Sequence, residues 1–67
     1  MNWKYYIERG YDGSAHNMFR IDTKAKRFQI YSIWRSVWQN FHYEGAVRVI
    51  GTNPEEITEE EAFLEMV

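Results

Sequence analysis

The stretch Trp3-Lys4-Tyr5-Tyr6-Ile7-Glu8-Arg9 decides the fold class. Trp3, Tyr5 and Ile7 fall on one side of it, and Lys4, Tyr6 and Glu8 on the other. Period-two alternation of aromatic and β-branched residues with polar ones reads as a half-buried strand. The next residues, Gly10 to Asn17, gather Gly10, Asp12, Gly13, Ser14, His16 and Asn17. That is loop composition, and it is longer than a two-residue hairpin turn.

The same period recurs downstream. Phe19 and Ile21 alternate with Met18, Arg20 and Asp22, which predicts a second strand. Asp22-Thr23-Lys24-Ala25-Lys26 suits a short hairpin connection, although no glycine marks its turn type. Arg27 to Ile33 predicts a third strand, with Phe28 and Ile30 on one side and Gln29, Tyr31 and Ile33 on the other. Large apolar groups on both sides leave two readings: residues 34–44 fold over the second face, or Tyr6, Tyr31 and Ile33 lie partly exposed there.

Residues 34–44 read two ways. Trp34, Val37, Trp38 and Phe41 have the spacing of an amphipathic helix, whereas Val37, Gln39, Phe41 and Tyr43 alternate as in a strand. Two turns of helix would be short and built from residues of middling helix propensity. A strand or irregular turn through Trp38–Tyr43 is therefore the expected form, with a short helix as the alternative. Glu44-Gly45 then breaks the chain. Ala46 to Ile50 is expected as a last strand, with Val47 and Val49 on one face.

The final segment carries a helix-start signature. Pro54 biases Asn53 away from helix. Thr58 and Glu61 have the spacing of a capping box, in which each side chain satisfies the other residue's backbone N–H. Ile57 and Ala62 suit a hydrophobic staple, and Ala62, Phe63 and Met66 are the expected buried stripe. The expected fold is thus α+β: a small antiparallel β-sheet meander of three to four strands with one C-terminal α-helix packed on it. Residues 1–67 are expected to form a single domain.

The chain resembles a loose set of short, uncharacterised bacterial proteins. The likeness rests on Tyr5-Tyr6-Ile7-Glu8-Arg9, on Asn17, Arg20 and Asp22 spaced as Asn-x-x-Arg-x-Asp, on a tryptophan-bearing middle, and on Ile57-Thr58-Glu59-Glu60-Glu61-Ala62. It implies a bacterial, cytoplasmic protein and carries no activity, cofactor or partner with it.

Composition narrows the function classes. At 67 residues the domain sits near the lower size limit for independent folding. It has no cysteine, so disulfides and thiolate metal sites are excluded and a reducing compartment fits. Three tryptophans, five tyrosines and four phenylalanines supply the core instead, each ring burying roughly 150–250 Å². Leu64 is the only leucine, which argues against a helical bundle. Neither a membrane span nor a secretory leader is visible, so no membrane association is expected. Residues 1–50 carry a net +4 and residues 51–67 a net −6. Acidic residues gathered at a helix start favour the macrodipole, and an acidic helix docked on a basic sheet is the second reading.

No catalytic signature emerges. The serines and threonines lie in no nucleophile motif. Asp12 and His16 share a loop, but two ligands do not define a metal site. Gly10-Tyr11-Asp12-Gly13 is too short to cradle phosphate. No enzyme, cofactor or metal is therefore expected. The preferred reading is a protein-interaction domain with an aromatic sheet surface, its candidate residues Trp3, Tyr6, Tyr31, Ile33, Trp38 and Arg35, and its partner another protein or a second copy. Tryptophan, tyrosine and arginine are the residues most enriched at binding hot spots. The alternative is single-stranded nucleic acid held by Arg20, Lys24, Lys26, Arg27, Arg35 and Arg48 among Phe19, Phe28, Tyr31 and Trp34. A pI near 5.6 speaks against it.

Overall fold

The computed structural model describes residues 2–13 and 15–66, and the side chains of all of these except residues 15 and 16. Among the described residues, five strands form one antiparallel sheet and two helices pack on it. The elements run β1 Lys4–Arg9, β2 Ala15–Asp22, β3 Arg27–Ser32, β4 Val37–Phe41, α1 Glu44–Ile50, β5 Glu55–Ile57 and α2 Glu59–Met66. The strand order is β4-β3-β2-β1-β5. The first four strands are a meander. The chain then crosses from the β4 edge to the far side of β1, where β5 pairs through Tyr5↔Ile57 and Ile7↔Glu55.

The two inner hairpins share one construction. Asp22 pairs with Arg27 and Ser32 with Val37, leaving four residues in each turn. Asp22 Oδ1 accepts the backbone N–H groups of Lys24 and Ala25, both at 3.0 Å. Ser32 Oγ accepts from the Arg35 N–H at 3.4 Å, and Ser36 N–H donates to the Ser32 carbonyl at 2.8 Å. Each turn ends in a left-handed residue, Lys26 at φ 54° and Ser36 at φ 56°. Neither is glycine, which is why the turn type is not apparent in the sequence.

Cross-strand register sorts the side chains onto two faces. Tyr5, Ile7, Met18 and Ile57 lie under α2 with Ala62, flanked by Trp3, Tyr31, Trp38 and Met66. Phe19, Ile21 and Phe28 lie under α1 with Ala46, flanked by Tyr6, Ile30, Tyr43 and Val49. The apolar residues on both sides of β1 and β3 are thus explained by a helix on each face.

Several expectations need correction. The sheet has five strands rather than three or four, and there are two helices rather than one. Residues 37–41 form a strand, but it ends at Phe41 rather than Tyr43. Ala46–Ile50 belongs to α1 and is not a strand. Its apparent alternation fails because Tyr43, Ala46 and Val49 turn inward at three-residue spacing, leaving Val47 exposed. No side chain caps this helix at Tyr43, and seven residues are too few to be helical alone. Packing therefore holds it in place. A Cβ on Gly45 would stand 3.3 Å from Phe28 Cε2, so the missing side chain lets the helix start sit close to the sheet.

The capping box is formed. Thr58 N–H donates to Glu61 Oε1 at 3.0 Å, and Glu61 N–H donates to Thr58 Oγ1 at 3.1 Å. Ile57 and Ala62 are both buried in the same cluster. The stripe is narrower than expected, because Ala62 and Met66 face the sheet while Phe63 is exposed. A residue one step along a helix lies about a quarter-turn round it, so Phe63 misses the sheet.

Candidate interaction surface

The α2 face holds an ordered polar row. Tyr5, Arg20, Gln29 and Asn40 stand side by side across four strands. Arg20 Nε donates to Gln29 Oε1 at 2.7 Å, and Gln29 Nε2 donates to Asn40 Oδ1 at 2.7 Å. Arg20 Nη1 also reaches Tyr5 Oη at 3.4 Å. Gln29 is buried with both its amide oxygen and its amide nitrogen hydrogen-bonded, which offsets the cost of hiding the group.

Two indoles close over this row. The Arg20 guanidinium lies 4.4 Å from the Trp3 ring centroid and 4.3 Å from that of Trp38. Trp38 also meets Tyr31 and Tyr5 edge-on, at 5.2 and 5.9 Å. A cation between two aromatic faces gains from both ring quadrupoles. The part of the sheet that α2 leaves bare is thus roofed by flat side chains.

The predicted site residues divide into three groups. Trp3, Tyr31 and Trp38 are half-buried on the α2 face, Trp3 and Trp38 on either side of Arg20 and Tyr31 edge-on to Trp38. Tyr6 does not join them. It lies on the opposite face, stacked on Phe19 at 5.5 Å and 17°. Ile33 and Arg35 leave the strand altogether and sit exposed in the β3–β4 turn.

That turn also carries Trp34, which the sequence offered only as part of a helical stripe or of a nucleic-acid face. Trp34 is 91% exposed and its neighbour Ile33 is 73% exposed. Beside them, between the turn and the last turn of α2, opens a cleft of about 220 Å³ lined by Met18, Tyr31, Ile33, Trp34 and Glu65. Trp34 matched the stripe of the alternative helix, which would have placed it inside, and the preferred strand did not begin until Trp38. The available clue was the ten-residue spacing of Asp22 and Ser32, which makes residues 33–36 a second turn like 23–26.

Arg9 ties the acidic segment to the sheet. Arg9 Nε donates to Glu55 Oε1 at 3.3 Å, and its Nη1 donates to Glu65 Oε1 at 3.4 Å and to the Gly13 carbonyl at 3.2 Å. Gly13, at φ 82°, turns the β1–β2 loop back toward this side chain. The hydrogen bond to Glu55, with help from Glu65, holds the Arg9 pKa above its ordinary value. The guanidinium therefore stays charged at any working pH.

The Asp12–His16 pair cannot be placed, because the His16 side chain lies outside the described residues. Among the described residues there is no cluster of three metal-ligating groups, and no helix is long and apolar enough to cross a membrane. Comparison with protein families, curated proteins and solved structures returned no match to this chain.

Proposed function

We propose that this protein is a non-catalytic, cytoplasmic interaction module that engages another protein through the β3–β4 turn and the adjoining cleft. The carrying observation is the exposure of Trp34 and Ile33 on a turn whose backbone is pinned by hydrogen bonds. A turn whose backbone is already pinned loses little further freedom on binding, and its indole hides a large apolar surface. The cleft beside it offers room for one apolar side chain of the partner. Single-stranded nucleic acid is the weaker reading, since Arg20 fills the space between Trp3 and Trp38 where a base would stack.

Peptide-display selection against the wild-type domain tests the reading. Selected peptides should carry an aromatic or aliphatic anchor and lose at least tenfold in affinity for an Ile33→Ser, Trp34→Ser double variant. Binders indifferent to that change would overturn the assignment of the site.

A further inference from the structure

The two edges of the sheet are built differently. The β5 edge is three residues long, follows Pro54 and presents Glu55 and Glu56. Short length, proline and charge all discourage a further strand. The β4 edge, Val37-Trp38-Gln39-Asn40-Phe41, is five residues long and has no charge, no proline and no bulge in its pairing with β3. Its Val37 and Phe41 are 47% and 49% exposed.

We infer that β4 pairs with β4 of a second copy, antiparallel about a two-fold axis through Gln39, to make one continuous ten-stranded sheet. The inference rests on the interaction-module reading and names a partner for a second surface of it. A two-fold antiparallel pair must set one residue opposite its own copy, because hydrogen-bonded and non-bonded pairs alternate along the ladder. Centring on Trp38 would oppose Val37 to Gln39, and centring on Asn40 would oppose Phe41 to Gln39. Centring on Gln39 alone opposes Val37 to Phe41 of the second copy, twice, and both apolar side chains are covered. Apolar cross-strand pairs of this kind are the stabilising unit of a sheet. The same register brings the Arg35 end of each strand toward the Glu44 end of the other, so the charges at the two ends are complementary. Five residues make a short interface, and the dimer is a reversible one.

A cysteine-free chain permits a direct test. A Gln39→Cys variant should form a disulfide-linked dimer under mild oxidation at micromolar concentration, at least tenfold faster than a Thr23→Cys variant, whose cysteine lies in the β2–β3 turn. Sedimentation of the wild type should show mass rising about twofold with concentration. A Val37→Lys, Phe41→Lys variant sets lysine against lysine and should stay monomeric, whereas Val37→Lys, Phe41→Glu sets lysine against glutamate and should still dimerise. Circular dichroism of both confirms that they fold. Equal loss of the dimer in both folded variants, or a wild-type monomer at hundreds of micromolar, overturns the inference. The Ile33→Ser, Trp34→Ser variant should dimerise normally. Failure at the turn and failure at the edge are therefore read separately.

Discussion

The two faces of the sheet are closed by opposite means. Under α1, Phe19, Ile21, Phe28 and Ala46 form a dry cluster in which Phe19 and Phe28 meet at 6.0 Å, with the half-exposed Phe41 outside it at 6.2 Å from Phe28. Under α2, the apolar cluster covers the β1 and β5 side, and beyond it lie the Arg20–Gln29–Asn40 row and its two indoles. A helix of seven residues with no side-chain cap at its N-terminus persists over the first face because the buried residues beneath it are apolar. A capped helix of eight residues covers only part of the second. There the remainder is closed by side chains that carry both flat apolar area and hydrogen-bonding groups.

The comparison breaks most visibly at Phe19. A Phe19→Ala change removes the ring at the centre of the dry face and should cost about 3–5 kcal/mol. A core of this size contributes only about 3–5 kcal/mol in all, so the variant should be unfolded by circular dichroism at room temperature. On the other face, Arg20→Met keeps the length of the side chain but deletes the charge between the indoles and the donor to Gln29. We expect a loss of about 1.5–3 kcal/mol in urea melts, with a change in tryptophan fluorescence as Trp3 and Trp38 lose their spacer. A loss equal to that of Phe19→Ala would erase the distinction between the faces. The smallest effect belongs to the helix start. Thr58→Ala should lower stability by about 0.5–2 kcal/mol, and an unchanged urea midpoint would show that packing alone holds α2, as it does α1.

The legible parts of the sequence were those governed by local rules. The alternation at Tyr5, Tyr6 and Ile7 and at Phe19 and Ile21 survives because register preserves period two. The Thr58–Glu61 box survives because its bonds close within three residues. What failed depends on distant partners. Glu55-Glu56-Ile57 has no strand pattern of its own and is a strand only because β1 has an open side. Ala46 to Ile50 is β-branched enough to look extended, and it becomes a helix because Phe28 and its neighbours need a cover. At the candidate surface, Trp3, Tyr31 and Trp38 were recognised as aromatics of the sheet, and Arg20 as one of a basic set for nucleic acid, but not as the cation between Trp3 and Trp38. Its stacking depends on β1 and β4 lying on either side of β2 and β3, an arrangement that sequence spacing does not show.

The crossing of α1 from one edge of the sheet to the other also sets an order of events during synthesis. Hairpins close in about 1–10 μs, so β1 to β4 can pair as soon as Phe41 is free. Until residues 42–66 dock, the meander stands with Phe19, Phe28 and Ile7 uncovered and the open side of β1 unpaired.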